Sequence, residues 1–336
     1  MENKLLTIGI PTYNRIEKLK KTIKGIEEQV IKLKEIDQKK IEIVISDNAS
    51  TDGSFKFLRD FNETTKINLR LNLNKENEGY DANCDKVFQK SSGKFVWLLS
   101  DDDEFDDNLI EVLLKSVEKN KEIGFCFIDY RLSTKFNHTT KKTSKSEFEL
   151  VDTTSLINKT KFAFSFVSSC VFRRDLWMKA DRFAYIGTNW IHLYIFREVM
   201  QNEKSMIIKG KKLIMNAVSI EQSRKRASES LPKDANCFYM DAHLNFIKYT
   251  HGYKDYGYGE LTNKIIDIPW NDNLRQIIYY KITQKCFRYR EVRKIIYTMH
   301  KYFNTKIRFW LLDVPLLFFP SKALKFLLKL LKRDFT

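Results

Sequence analysis

At 336 residues and 43% hydrophobic content the chain can build one large domain or two modest ones, and only 11 glycines and 5 prolines exclude long flexible linkers. Lys and Arg number 59 against 43 Asp and Glu, a formal +16, which points to a polyanionic partner: nucleic acid, anionic lipid or a phosphorylated substrate. Fourteen of those bases but only three acids (Glu291, Asp313, Asp334) fall in residues 281–336, away from the candidate chemistry.

Leu5–Ile10 reads as a buried strand ended by Pro11. Asn14 with Glu17 three residues on predicts a capped helix from about Arg15 to Ile36, with Leu19, Ile23, Ile26 and Val30 on one face. Ile41–Ser46 is a second strand, closed by the polar turn Asp47–Gly53 and another helix start. Asn68–Leu73 suggests a third strand and Asp81–Gln89 a helix closed by Ser91-Ser92-Gly93. Phe95–Leu99 is a strongly apolar strand that stops at Ser100-Asp101-Asp102-Asp103-Glu104. A helix over Asn108–Glu118 and a strand over Ile123–Ile128 follow. Strands alternating with helices predict an α/β fold with a mostly parallel, doubly wound sheet. Beyond about 130 the pattern loosens: a polar loop over 135–146, an apolar Phe162–Phe172, a helical Arg174–Met200, and mainly helix after 235. Five cysteines without a CxxC spacing read as free thiols in a reducing compartment, and the N-terminus shows no signal-peptide core.

Ligands of open α/β sheets bind outside the carboxyl ends of the strands. Three polar clusters fall there: Pro11-Thr12-Tyr13-Asn14-Arg15, Asp47–Asp52, and Asp101-Asp102-Asp103. Two carboxylates in an Asp-x-Asp arrangement can hold Mg²⁺ or Mn²⁺ and leave positions for phosphate oxygens. An acidic turn at a helix start is the plainer reading, but burying such carboxylates at a strand end is costly without a cation. Asp47 suits the N3–H donor of uracil or thymine, and equally an Asx turn.

Ile10-Pro11-Thr12-Tyr13-Asn14-Arg15, Val44–Gly53, Asn77-Glu78-Gly79, Gly93 and Trp97–Asp103 together resemble the family 2 glycosyltransferases. Ser168–Trp177 and Tyr185–Trp190 look closest to its abequosyltransferase-like members of bacterial surface polysaccharide synthesis. The resemblance implies a GT-A fold, an inverting transfer from a nucleotide-sugar (UDP or TDP favoured), and a glycan or lipid-linked glycan acceptor. It implies that Pro11, Thr12, Tyr13 and Asn14 line the nucleoside pocket, that Asp47 touches the base, and that Asn77, Gly79 and Asn83 lie near the ribose and sugar. Asp101 and Asp103 are then the metal pair, for Mn²⁺ or Mg²⁺, with Asp102 between them in the nucleotide-sugar site and Asp103 also catalytic. Arg15 departs from the acidic residue usual after the asparagine.

An inverting transfer needs a general base. Relatives often carry a Glu-Asp pair before a Trp, where this chain has Thr188-Asn189-Trp190, so His192 is the candidate base, with Asp175 and Asp181 as poorer alternatives. A packing histidine in an aromatic helix is the competing reading. At the far end, Lys322, Lys325, Lys329, Lys332 and Arg333 oppose Leu324, Leu327, Leu328 and Leu331, a basic amphipathic helix suited to an anionic membrane surface. Phe309–Phe319 is too short and broken to span. The expected organisation is a GT-A domain over 1–215 and a helical basic extension over 216–336, its membrane-associating tail at about 305–336. Such an enzyme would be cytoplasmic, peripheral on the inner face of the plasma membrane, with no nucleic acid partner. A sugar nucleotidyltransferase would need a Gly-rich phosphate loop that Pro11–Asn14 lacks. A non-enzymatic membrane- or nucleic-acid-binding module would leave the acidic triplet unexplained.

Overall fold

Strands β1 (Leu6–Thr12), β2 (Ile41–Asp47), β3 (Leu69–Leu73) and β4 (Phe95–Leu98) run parallel in the order β3-β2-β1-β4. The computed structural model describes residues 4–132, 148–160, 162–215, 245–246, 248–249, 289–303 and 318. Among them the sheet continues through β5 (Glu104–Phe105), β6 (Phe125–Leu132), β7 (Phe148–Asp152), β8 (Cys170–Arg173) and β9 (Lys204–Met215). Its full order is β3-β2-β1-β4-β8-β6-β9-β5, with β7 also on β9. β8 is antiparallel to both β4 and β6, while β9 lies parallel to β6, so the sheet is mixed but mostly parallel.

The helices are α1 (Ile16–Val30), α2 (Glu35–Gln38), α3 (Ser54–Thr64), α4 (Tyr80–Lys90), α5 (Leu109–Lys119), α6 (Thr153–Thr160), α7 (Arg174–Lys179), α8 (Ile191–Val199) and α9 (Tyr289–Phe303). The chain divides into two compact units, Met1–Ala227 and Ser228–Thr336, and the sheet belongs to the first. Leu6, Ile8 and Ile10 of β1 and Ile41, Ile43 and Ile45 of β2 point to one face, where Leu19, Ile23 and Ile26 of α1 and Leu109, Leu113 and Val117 of α5 cover them. Each such fully buried side chain contributes about 1.5–3 kcal/mol. On the other face α4 packs across β1 and β2. That approach needs Gly9, because a Cβ there would lie 2.2 Å from Val87 Cγ1. Gly93 is required in the same way: its Cβ would stand 2.7 Å from the Thr7 backbone nitrogen.

Several elements differ from the sequence expectation, each for a visible reason. The first helix stops at Val30 rather than Ile36, and only the short α2 follows. Asn14 does not cap it. Asn14 adopts φ 51° and accepts the Thr51 N–H at 2.7 Å, while Asp52 from the next loop takes the Ile16 N–H at 2.9 Å. The cap therefore comes from the loop after the neighbouring strand, which no local pattern signals. Arg174–Met200 is broken between α7 and α8 by a 3-10 turn at Arg182–Tyr185 and by Gly187 and Asn189 at positive φ (88° and 64°). The sequence pattern assigns no strand at β5, β7, β8 or β9. The polar loop over 135–146 and the tail over 305–336, Phe318 excepted, lie outside the described residues, and of the helical region after 235 little more than α9 is described. No helix among the described residues is long and apolar enough to cross a membrane.

Candidate active site

Thr12 and Asp47 are partners in the β1–β2 register, so the two strands end level with one another. β4 ends beside them, and the following turn carries Ser100–Asp103. Thr12 Oγ1 donates to Asp101 Oδ2 at 2.7 Å, which joins the first polar cluster to the acidic one. Pro11, Tyr13 and Asn14 are partly buried beside it. Pro11 is tolerated in β1 because the ladder to β4 has already ended at Gly9–Leu98.

Asp47 serves two purposes. Its Oδ1 accepts the Ser50 N–H at 2.7 Å, the turn role. Its Oδ2 is buried without a hydrogen-bond partner among the described residues. Burial raises its pKa, against the hydrogen bond from Ser50. A buried carboxylate oxygen without a donor is costly, and the N–H of a nucleobase would satisfy it.

Around Asp47 runs an amide network that the sequence reading saw only in part. Asn48 Nδ2 donates to Asn77 Oδ1 at 2.7 Å, and the Glu78 N–H donates to Asn48 Oδ1 at 3.0 Å. Asn83 Nδ2 donates to the Ser46 carbonyl at 3.0 Å, and Asn74 Nδ2 to Asn48 Oδ1 at 2.9 Å. Asn77 in turn accepts the Gly79 N–H at 3.0 Å, and Gly79 itself adopts φ 87°. Asn77, Gly79 and Asn83 are thus brought to the β2 end, with Asn83 buried and Asn77 and Gly79 exposed. Asn74 is the member sequence reasoning missed, since an isolated asparagine in a loop carries no distinguishing signal; Asn48 lies within the Asp47–Asp52 cluster, and its part in the network comes from distant partners.

The acidic triplet is internally tied. Arg15 Nη1 lies 3.0 Å from Asp101 Oδ1 and 3.2 Å from Asp102 Oδ2. Lys18 Nζ lies 2.6 Å from Asp102 Oδ2, and Ser100 Oγ donates to Asp102 Oδ1 at 2.7 Å. Burial raises the pKa of Asp101 despite Arg15; at Asp102 Arg15, Lys18 and Ser100 outweigh burial and lower it. Ser168 Oγ donates to Asp103 Oδ2 at 2.6 Å and accepts the Ser100 N–H at 2.9 Å. Among the described residues no three His, Cys, Asp or Glu side chains form a metal cage. A divalent cation fits only as Mg²⁺ or Mn²⁺ commonly do, on one or two carboxylates with phosphate and water oxygens completing the shell. Asp103 suits that role; Asp101 already carries a hydroxyl on one oxygen and a guanidinium on the other.

His192 takes the packing role. It is 2% exposed, and its Nε2 lies 3.3 Å from the Ser165 carbonyl, which makes Nε2 the protonated nitrogen and leaves Nδ1 buried without a partner among the described residues. Burial lowers its pKa to about 4, so it is a weak base shut off from an acceptor hydroxyl. Asp175 is engaged by Arg173 Nε at 2.9 Å, and Asp181 is exposed. The residue that organises this region is Asp81 on α4, which accepts the N–H groups of Asn189 (2.6 Å) and Ile191 (3.1 Å) ahead of α8. Burial raises its pKa to about 6 against those bonds.

Residues 7–178, just over half the chain, match glycosyl transferase family 2. The chain belongs to that family. Over 209 residues this family 2 chain is 25% identical to the abequosyltransferase RfbV of Salmonella typhimurium, covering 58% of this chain and 61% of that one. Over 203 residues it is 29% identical to the GalNAc(5)-diNAcBac-PP-undecaprenol beta-1,3-glucosyltransferase of Campylobacter jejuni, covering 56% and 59%. The matches thus span about three-fifths of the length of these curated relatives. Among solved structures, residues 1–349 of S. aureus TarS in complex with UDP-GlcNAc align at TM-score 0.53 and 11% identity, over 93% of this chain and 77% of that one. The mannosyltransferase PcManGT of Pyrobaculum calidifontis, in complex with GDP-Man and Mn²⁺, aligns at TM-score 0.50 and 14% identity, over 96% and 87%. At these identities the likeness speaks to the fold, which is GT-A.

Proposed function

We propose that this family 2 chain is an inverting glycosyltransferase that moves a sugar from a nucleotide-sugar donor, with UDP or TDP as carrier, to a glycan or lipid-linked glycan acceptor in bacterial surface polysaccharide synthesis. The observation that carries the reading is the Thr12–Asp101 hydrogen bond of 2.7 Å, which joins the strand end paired with Asp47 to the acidic turn after β4. A nucleoside anchored at Asp47 Oδ2, with Pro11, Thr12, Tyr13 and Asn14 beside it, would run its diphosphate past Asp101 and Asp103. Asn77, Gly79 and Asn83 border the ribose and sugar. Asp103, with Asp101 beside it, would hold Mn²⁺ or Mg²⁺, which supplies charge neutralisation of the leaving diphosphate when bound. The relatives named for an undecaprenyl-linked glycan and for abequose transfer support the acceptor class.

Calorimetry with UDP, TDP, CDP and GDP, each with Mn²⁺ and with chelator, tests the donor site. The expected result is selective binding of one uracil or thymine nucleotide. No binding of any nucleotide in either condition would reject the transferase reading.

A catalytic unit over residues 1–215 and a basic extension beyond it fit a peripheral enzyme on the inner face of the plasma membrane. Flotation with anionic liposomes, comparing the full chain with one ending before Lys306, should show binding by the full chain alone. Equal binding by both would reject the role of the tail.

A further inference from the structure

Arg15 and Lys18 do more than fill space beside the acidic turn. Asp101 and Asp102 are almost sealed, at 3% and 7% side-chain exposure, whereas Arg15 and Lys18 keep 30% and 23%. The two bases match the two acids one for one, so the rim presents cations outward and carboxylates inward. The hydrogen bond of the Arg15 side chain and its nearest approach to each of the two carboxylates are made by Nη1, and among the described residues neither Nη2 nor Nε donates a hydrogen bond. A guanidinium carries five N–H donors in a fixed fork, and one held by two carboxylates on one edge offers the other edge to a planar or tetrahedral oxyanion. Its position is set by the nucleoside end: Thr12, which is level with Asp47, donates to the same Asp101 that holds Arg15.

We propose that Arg15, fixed at the rim by Asp101 and Asp102 and backed by Lys18, binds the donor's diphosphate through its outward guanidinium edge, so that a nucleoside diphosphate is held without a divalent cation. This rests on the transferase reading and adds to it a resident cation in the donor site. A metal at Asp103 then serves the transfer step rather than donor capture.

The test is calorimetry in chelator with the diphosphate, among UDP, TDP, CDP and GDP, that wild type binds, and with the matching monophosphate. Wild type should hold the diphosphate in chelator within about tenfold of its affinity in Mn²⁺. Arg15→Ala should weaken the diphosphate by about tenfold or more, the size of a charge-assisted hydrogen bond, and the monophosphate by less than about threefold. Arg15→Lys should recover part of the loss. Arg15→Ala leaves Asp101 uncompensated, so the double variant Arg15→Ala/Asp101→Asn restores the charge balance. Continued weak diphosphate binding in that variant supports the contact, whereas full recovery means that Arg15 only neutralises acids and overturns it. Wild-type binding that exists in Mn²⁺ and vanishes in chelator also overturns the proposal, while leaving the transferase reading intact.

Discussion

Replacing Asp103 by asparagine is expected to lower donor turnover by about two to three orders of magnitude, the range seen when charge stabilisation is removed from a reacting centre. The exchange is nearly isosteric. The introduced amide keeps a carbonyl oxygen for the Ser168 hydroxyl, which now sits 2.6 Å from Asp103 Oδ2, so the Ser168–Ser100 connection to the end of β4 survives. What disappears is the negative charge. The measurement is release of nucleoside diphosphate from the donor, with thermal melting beside it. A melting point within a few degrees of wild type and a collapsed rate place the effect in the chemistry. His192→Gln is the control: its ring is 2% exposed and tied to Ser165, so the rate should change less than about threefold while the loss of one hydrogen bond, about 1 kcal/mol, shows only in stability. A rate loss at His192 equal to that at Asp103 would restore the histidine as the base.

Glu42→Ala is expected to cost about 2–4 kcal/mol of stability, the order expected when buried donors of about 1–3 kcal/mol each lose their shared acceptor. Glu42 is 1% exposed near the start of β2, one strand in from the edge of the sheet. It accepts from Thr7 Oγ1 at 2.6 Å, from the Ser92 N–H at 2.5 Å and hydroxyl at 2.8 Å, and from the Gly93 N–H at 3.2 Å. Alanine leaves those donors facing a void. Burial alone would raise the pKa of Glu42, but the bonds from Thr7 and Ser92 prevail and lower it below 4.5. The folded state therefore binds its proton less tightly than the unfolded chain does. The stabilisation is fully present above the ordinary glutamate value and fades as pH falls through the lowered one. The gap in urea midpoint between wild type and variant at pH 7 should narrow as pH falls below the ordinary glutamate value. A constant gap across that range would mean that Glu42 acts by packing alone.

What the sequence made legible was periodic or local. The alternation of Leu6, Ile8 and Ile10, and the run Phe95–Leu98 ending in acids, located strands and site together, because in parallel sheets the strand end is the site. The partners of the site residues were not legible, because they come from far along the chain. Asp103 meets Ser168, Asp81 meets Ile191, and the N-terminus of α1 is capped by Asp52. Asp81 illustrates the limit: an acid in the first turn of a helix already has a sufficient local explanation in the helix dipole, so nothing flags its distant task. His192 shows the reverse, since its chemical type suggested a base and only burial reveals a packing residue. β9 carries no legible strand signal, because a charge-interrupted segment such as Lys204–Met215 becomes a strand through pairing with β6 and not through its own pattern.

The position of β8 has a consequence for how the molecule can be made. β8 is inserted antiparallel between β4 and β6, although it comes well after both in the chain. As the nascent chain emerges, the segment bearing all three polar clusters is complete by Asp103, yet β4 then presents an open hydrogen-bonding edge until residues 170–173 arrive. An exposed edge beside an apolar run such as Phe95–Leu98 invites pairing with another chain. The segment ending at Asp103 is therefore not a module that can be cut free by itself: the strand that closes its open edge, Cys170–Arg173, is encoded far downstream, and the two are inherited as one piece.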